Sequence, residues 1–157
     1  NINFIGCEPF VNGVATLLSE IERYSIKNIC IFSDDIRLLL KTLRRSSIDK
    51  VFLLFSDPWP KKRHNSRRLI SSEMLDELSK IMSNKSKILV ASDDLNLIRS
   101  VLNLFYCHQN FFWLADSKDD WENRYSGSIA TRYENKAISI GKHCIYLSFT
   151  HEKKNYV

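Results

Sequence analysis

Hydrophobic residues form short, nearly continuous runs that alternate with longer stretches of helical spacing. Four runs have the length of strands: Ile2–Ile5, Ile29–Phe32, Val51–Phe55 and Ile88–Ala91. Such runs are typical of parallel strands that helices cover on both faces. A further strand is predicted near the end of the chain, at His143–Phe149.

Four of the intervening stretches carry apolar residues at every third or fourth position, which is the spacing of one helix face. They are Val11–Ile21, Ile36–Leu43, Met74–Met82 and Ile98–Phe105. Ser71 or Ser72 is expected to cap the third helix. Asp93 or Asp94 is expected to cap the fourth. The alternation of strands and helices predicts an α/β fold, a mostly parallel twisted sheet with helices on both faces, in a single domain over residues 1–157.

The composition excludes several classes of protein. With 44% hydrophobic residues the chain can form a compact core, yet no stretch reaches the roughly 18 apolar residues of a membrane helix. The first residues have neither the basic flank nor the cleavage site of a signal peptide. The four cysteines form no CxxC pair. We therefore expect a cytoplasmic protein without a membrane partner.

The excess positive charge lies in one segment. The 157 residues include 23 Lys and Arg against 18 Asp and Glu, a net charge of +5. Residues 61–68 (KKRHNSRR) contain five of these cations and no acid, so the rest of the chain is balanced. A local basic patch favours a polyanionic partner, and the alternative is a solvated basic loop.

Acidic residues follow each of the first four predicted strands. They are Glu8, Asp34 and Asp35, Asp57, and Asp93 and Asp94. Ligands of a parallel sheet bind at the carboxyl ends of its strands, where these residues are expected to meet. Carboxylates accept hydrogen bonds from ribose hydroxyls and base amino groups, so they suit a nucleoside-containing ligand. A Mg²⁺ site would normally come with a glycine loop that binds phosphate, and the sequence has none, so no metal is expected.

Residues 54–68, LFSDPWPKKRHNSRR, resemble the signature of the bacterial tRNA (guanine-N7)-methyltransferases, which is close to FFPDPWPKKRHxKRR. The acid, the proline, the tryptophan and the basic run have the family's order, with Ser56 in place of a usual proline. Four further segments match in order: FIGCEPF, SDDIRLLL, ASDDLNLI and TRYENKAISIGKHCIYLSF. The resemblance covers the whole chain. It implies a Rossmann-like class I methyltransferase that transfers a methyl group from S-adenosylmethionine to N7 of a variable-loop guanine, position 46, in tRNA.

The resemblance also implies roles for individual residues. Glu8 would bind the ribose hydroxyls of S-adenosylmethionine, Asp34 would face its adenine, and Asp57 would be the catalytic residue beside cofactor and target base. The implied substrate-binding residues are Lys61, Asp93, Thr131, Arg132, Tyr133 and Glu134. The expected contacts to tRNA phosphates come from the other cations of the basic run, Lys62, Arg63, Arg67 and Arg68.

Methylation at guanine N7 needs no strong base, because this nitrogen carries a lone pair and no proton. Alignment of the methyl donor with N7 is then the main catalytic factor. Asp57 either stabilises the cationic 7-methylguanine as it forms or holds the base by its N1 and N2 hydrogens.

One part of the family pattern has no counterpart. Family members begin with a further strand and a glycine-rich motif close to E-I-G-x-G-x-G, whereas the four glycines here form no GxG. We expect an N-terminally truncated product, a partial gene model or part of a longer protein, with unpaired edges on the strands that end at Glu8 and Asp57. The alternative function is a catalytically inactive tRNA-binding fragment. A methyltransferase acting on another base or a small molecule is disfavoured by the basic loop, and a monomer or homodimer is expected.

Overall fold

The computed structural model describes residues 2–153. The chain divides into two compact units, Asn1–Leu43 and Arg44–Val157. The α/β class predicted from the sequence is confirmed, since strands and helices alternate through both units. The single domain over 1–157 stays a prediction. No helix within the described residues is long and apolar enough to cross a membrane.

The first unit contains two parallel strands and two helices. Its elements are β1 (Phe4–Cys7), α1 (Val11–Arg23), β2 (Ile29–Phe32) and α2 (Ile36–Leu40). The register places Phe4 opposite Ile29 and Cys7 opposite Phe32, so both strands end at the same edge. Helix α2 is shorter than its predicted range, which reached Leu43.

The second unit contains the four-stranded sheet. Its elements are β3 (Ile48–Leu54), a 3₁₀ helix (Lys62–Arg67), α3 (Ser72–Ile81), β4 (Met82–Ser92), α4 (Leu95–Cys107), β5 (Phe111–Trp113), α5 (Asp119–Glu122), α6 (Arg132–Ser139) and β6 (Ile145–His151). The strand order is β3-β4-β6-β5. Strand β3 is parallel to β4, whereas β6 is antiparallel to both β4 and β5.

Hydrogen bonds at the helix starts decide between the expected caps. The Ser71 hydroxyl accepts a hydrogen bond from the Met74 amide at 3.3 Å, so Ser71 and not Ser72 caps α3. The Asp94 carboxylate accepts one from the Leu97 amide at 2.7 Å, so Asp94 caps α4. Asp93 is thereby left available for other contacts, which matters for the site described below.

Strands β1 and β3 each pair with one neighbour among the described residues. Each strand therefore has the unpaired edge that was expected for the strands ending at Glu8 and Asp57. Four large apolar side chains of these strands are between 39% and 48% exposed: Phe4, Ile5, Phe52 and Leu54. Exposed apolar residues beside open backbone groups make these strands the positions where a further strand could pair.

His151 is a buried polar residue at the end of β6, with 0% of its surface exposed. Its Nδ1 lies 2.9 Å from the Ser83 carbonyl oxygen, to which it donates, and its Nε2 lies 3.0 Å from the Ser79 hydroxyl, from which it accepts. Asn110 donates to the same hydroxyl at 2.9 Å, which completes a network joining α3, β4, β6 and the loop before β5. Burial lowers the pKa of His151, and the positive charge of Lys153 acts in the same direction. The imidazole is therefore neutral in the folded protein.

The neutral state of His151 predicts a pH-dependent stability. Below about pH 6.5 the unfolded chain binds a proton at this residue that the folded protein does not, so the free energy of unfolding falls by at most about 1.4 kcal/mol per pH unit. His151→Asn is expected to lower stability at pH 7.5 and to flatten this slope. Urea unfolding between pH 7.5 and 5.5 measures both effects. His143→Asn is the control, because His143 is exposed. An equal dependence of stability on pH in the native protein and both variants would contradict the neutral state assigned to His151.

Candidate active site

Glu8 is the first acid of the site and lies directly after β1. Its Oε1 accepts a hydrogen bond from the Phe10 amide at 2.9 Å, which turns the side chain back over the start of α1. A Cβ atom at Gly13 would lie 2.8 Å from the Glu8 Cγ, closer than side chains normally approach. A larger residue at this position would require the Glu8 side chain to shift.

The neighbouring acids Asp34 and Asp35 have different surroundings. Asp35 caps α2 through the Arg37 amide at 2.9 Å and binds the Arg37 guanidinium at 2.6 Å. This hydrogen bond lowers the pKa of Asp35, which indicates a structural role. Asp34 is exposed, and its Oδ1 accepts from the Asp35 amide at 2.7 Å. Asp34 therefore lies open at the same edge as Glu8, because β1 and β2 pair in parallel.

The loop after β3 has a strained backbone on both sides of Asp57. Phe55 has φ 51° and Trp59 has φ 41°, in the left-handed region that bulky residues avoid. Conformations of this kind cost about 1–3 kcal/mol each and persist only when the surroundings enforce them. Asp57 itself is exposed, and its carboxylate has no hydrogen-bonding partner within the described part of the chain.

Arg68 holds this strained loop in place. Its guanidinium donates to the carbonyl oxygen of Pro58 at 2.9 Å and to that of Trp59 at 3.5 Å. A third contact at 3.2 Å reaches the Ser100 hydroxyl on α4. The half-buried Arg68 thus faces the protein, whereas the sequence suggested that it binds a tRNA phosphate; that contact stays a prediction.

The other cations of the basic run are open to solvent. Lys61, Arg63 and Arg67 are exposed, and the Arg67 guanidinium lies 5.0 Å from the centre of the Trp59 ring. The His64 ring contacts the same indole edge-on at 5.6 Å, so Trp59 is packed within its own loop. The side chain of Lys62 lies outside the described part of the structure.

Asp93 forms an ion pair across two loops of the second unit. Its Oδ2 accepts from the Lys142 Nζ at 2.5 Å, which joins the start of α4 to the loop before β6. This hydrogen bond raises the pKa of Lys142. The Asp93 and Lys142 side chains are 27% and 50% exposed, so the pair is accessible from solvent. Because β3 and β4 are paired in parallel, Asp57 and Asp93 follow the same edge of the sheet.

The TRYE segment begins helix α6 as a capping box. The Thr131 hydroxyl accepts from the Glu134 amide at 3.1 Å, and a Glu134 carboxylate oxygen accepts from the Thr131 amide at 3.4 Å. Arg132 and Tyr133 lie on the exposed side of this first turn. Of the four residues expected to bind substrate in this segment, Arg132 and Tyr133 are therefore exposed, whereas Thr131 and Glu134 form the capping box.

Glu134 is buried, with 2% of its surface exposed. Its Oε1 accepts from the Arg124 Nε at 2.7 Å and from the Tyr146 hydroxyl at 2.5 Å. Burial alone would raise the pKa of Glu134, but the hydrogen bonds from Tyr146 and Arg124 outweigh it and lower the pKa. Burial and the contact with Glu134 raise the pKa of Tyr146. Glu134 is thus an ionised carboxylate at the centre of a hydrogen-bond network.

A shallow cavity with an empty volume of about 290 Å³, which includes space open to solvent, adjoins this network. Its lining residues are Phe52, Leu54, Phe55, Ala91, Arg124, Tyr125, Ser128, Ile129, Thr131, Glu134 and Tyr146. Tyr125 is fixed in the wall, because its hydroxyl lies 2.5 Å from the Val90 carbonyl oxygen and 3.0 Å from that of Leu147. The cavity combines apolar and aromatic walls with one cationic side chain, and it begins where β3 ends.

Sequence reasoning missed Arg124, Tyr146 and Lys142, which hold the predicted acids in place. One signal was present: a threonine followed three residues later by glutamate is the pattern of a capping box, and it marks the start of α6. The partners from other elements left no local pattern. Within residues 2–153 no group of three or more His, Cys, Asp or Glu side chains is arranged to hold a metal ion.

Comparison with curated proteins finds relatives that are named tRNA (guanine-N(7)-)-methyltransferase. The chain is 41% identical over 152 residues to a tRNA (guanine-N(7)-)-methyltransferase of Roseobacter denitrificans, which covers 97% of this chain and 65% of that protein. It is 40% identical over 146 residues to a protein of the same name from Agrobacterium fabrum, covering 93% and 63%. The chain therefore spans slightly less than two thirds of the length of these relatives.

The fold is shared with solved methyltransferase structures. An rRNA methylase from Streptococcus thermophilus superposes with a TM-score of 0.63 at 9% identity, over 96% of this chain and 74% of that one. A protein described as a "putative methyltransferase from streptococcus mutans in complex with SAH" gives a TM-score of 0.61 at 8% identity, over 95% of this chain and 76% of that one. These similarities confirm the class I methyltransferase fold.

The family comparison covers nearly the whole chain. The family model described as "Putative methyltransferase" matches residues 1–147. The chain therefore belongs to this methyltransferase family, in agreement with its resemblance to the tRNA (guanine-N7)-methyltransferases.

Proposed function

We propose that this chain carries the catalytic and tRNA-binding residues of a cytoplasmic tRNA (guanine-N7)-methyltransferase that uses S-adenosylmethionine. The observation that carries the proposal is the strained loop around Asp57. It presents an exposed carboxylate at the end of β3 and continues directly into the exposed cations Lys61 and Arg63. An exposed carboxylate next to exposed cations suits a nucleic acid as substrate, because the cations can bind its phosphates.

The first unit fits the nucleoside part of S-adenosylmethionine. Glu8 is oriented by the Phe10 amide through one oxygen, and its carboxylate lies over the turn that Gly13 leaves open. Oriented carboxylates are suited to accept hydrogen bonds from ribose hydroxyls. Asp34 is exposed at the same edge and would face the adenine. The cofactor supplies an electrophilic methyl group when it is bound.

The residues of the second unit would position the guanine and not deprotonate it. N7 already presents a lone pair, so the barrier is lowered by alignment, which can contribute as much as about 7–11 kcal/mol. The Asp57 carboxylate would stabilise the positive charge that the purine gains. Asp93 and the start of α6 would border the same base, with Lys142 holding the Asp93 carboxylate.

The alternative is a tRNA-binding module without catalysis. It is favoured by the sequence, whose four glycines form no GxG motif for the methionine part of the cofactor. The basic run and the TRYE segment are compatible with either function. Methylation of tRNA distinguishes the two, because both would bind tRNA and only the enzyme would release tRNA that contains 7-methylguanine.

The carboxylate of Asp57 is tested by Asp57→Asn, which keeps the shape and removes the charge. We expect roughly a 100-fold or greater loss of kcat for tRNA methylation, the size seen when a stabilising group is removed from a transition state. Mass spectrometry of nucleosides from tRNA treated with the native gene product measures the rate. Asp49→Asn is the matched control, because Asp49 is exposed at the opposite end of β3. Equal rates for the two variants would refute the role of Asp57.

The basic run is tested by the salt dependence of tRNA binding. Lys61→Ala and Arg63→Ala are each expected to weaken binding and to reduce the slope of log K against log salt by about one. Arg68→Ala is expected to leave the slope unchanged and to lower the free energy of unfolding, because Arg68 holds the loop. Filter binding between 50 and about 300 mM salt and thermal unfolding measure these quantities. A reduced slope with unchanged stability in Arg68→Ala would assign this residue to the tRNA instead.

A further inference from the structure

The buried Glu134 is already engaged by donors of the protein, and its binding of substrate stays a prediction. Its side chain is 2% exposed, and both of its oxygens are occupied by donors from the protein. The Tyr146 hydroxyl and the Arg124 guanidinium share Oε1, while the Thr131 amide approaches Oε2 at 3.4 Å. A carboxylate in this state orients the side chains bound to it. Arg124, Tyr146 and Thr131 line the cavity together with Glu134, and Arg124 is the cationic residue of this group.

Arg124 has donors left over after it binds Glu134. Its Nε lies 2.7 Å from Glu134 Oε1, and so does its Nη2. A guanidinium has five N–H groups, and these two contacts use one on Nε and one on Nη2. Tyr146 also forms a hydrogen bond with Arg124, and the remaining N–H groups can donate to other acceptors. The Arg124 side chain is 35% exposed and lines the cavity. Because Glu134 is fixed by Tyr146 and by the capping box, the free edge of the guanidinium has a defined direction.

The cavity around Arg124 suits a planar base that carries a carbonyl oxygen. Phe55, Tyr125 and Ile129 provide apolar and aromatic walls, and Tyr125 is held by backbone carbonyl oxygens of two strands. Aromatic walls favour a flat heterocycle, because base and ring can stack. A guanidinium donates and never accepts, so it selects an acceptor at the edge of that heterocycle.

We propose that Arg124 is a specificity-determining residue that donates a hydrogen bond to O6 of the target guanine, and that Glu134 is the positioning residue that aims it. The proposal rests on the function proposed above. O6 lies next to N7 on the same edge of the purine, whereas adenine has an amino donor there that a guanidinium rejects. The charge of Arg124 is balanced by Glu134, so the pair opposes the positive charge of the methylated purine less than a lone cation would.

The experiment pairs protein variants with changes of the target base. The native gene product, Arg124→Gln and Arg124→Lys are each given tRNA whose target position holds guanine, hypoxanthine or 2-aminopurine. Hypoxanthine keeps O6 and lacks the 2-amino group, whereas 2-aminopurine keeps N7 and lacks O6. Lys118→Gln is the matched control, because it removes a cation from the exposed ion pair between Lys118, which precedes α5, and Glu122 on α5. Thermal unfolding of every variant measures folding.

The expected result is a coupling between Arg124 and O6. The native protein should methylate 2-aminopurine roughly 10- to 100-fold less efficiently than guanine, and Arg124→Gln should lose about the same factor on guanine and hypoxanthine. On 2-aminopurine, Arg124→Gln should be only slightly less efficient than the native protein. Arg124→Lys is expected to recover only part of the activity lost in Arg124→Gln, because an ammonium lacks the planar set of N–H groups that Glu134 orients in the guanidinium. Glu134→Gln should lower kcat/KM for guanine and leave the affinity for whole tRNA unchanged.

Two failures can be told apart. If the native protein forms no 7-methylguanine, the proposed function fails and the present inference falls with it. If the native protein is active but Arg124→Gln and Arg124→Lys lose the same factor on all three bases, Arg124 is structural and this inference alone fails. A native protein that uses guanine and 2-aminopurine equally well would also overturn it, whether or not the variants fold.

Discussion

The pairing of β4 with a strand on each side is the constraint on which the second unit depends. Strand β4 is parallel to β3 and antiparallel to β6, and Ile88 and Val90 are almost completely buried. Parallel pairing brings the ends of β3 and β4 to one edge, so the loops containing Asp57 and Asp93 follow that edge. Antiparallel pairing brings the loop before β6 to the same end, which places Lys142 within reach of Asp93.

The site residues are fixed by partners that are not themselves reactive. Arg68 bonds to the carbonyl oxygens of Pro58 and Trp59 and so maintains a backbone that bulky residues avoid. Glu134 fixes the side chain of Arg124 by accepting a hydrogen bond from its guanidinium. An isolated buried carboxylate would be costly, and the donors around Glu134 both offset that cost and keep it ionised. Strain and buried charge are thus found together at this end of the sheet, as is common at functional sites.

Several elements were predictable because their signal is local. The runs at Ile29–Phe32 and Ile88–Ala91 are strands in the structure, and the apolar stripe of α4 is buried. Met82 shows the limit of such reasoning. It continues the apolar spacing of α3, yet it is the first residue of β4 and is completely buried, since one buried position fits either element. Strand β5, helix α5 and helix α6 were missed, being short or stabilised by contacts distant in sequence.

The sequence by itself determined the strand-and-helix order, the acids that follow the strands, and the family, because these are carried by local patterns and by the SDPWPKKRH segment. The tertiary structure decided what each residue does within that frame. It separated Asp34 from Asp35 and Asp93 from Asp94, turned Arg68 toward the protein, and buried Glu134 while leaving Arg124 at the cavity. Each of these outcomes depends on which donors and acceptors lie within about 3 Å. For Asp35 and Asp94 the donors are amides of the helices that they cap, whereas Arg68 and Glu134 bind partners ten residues away in the sequence.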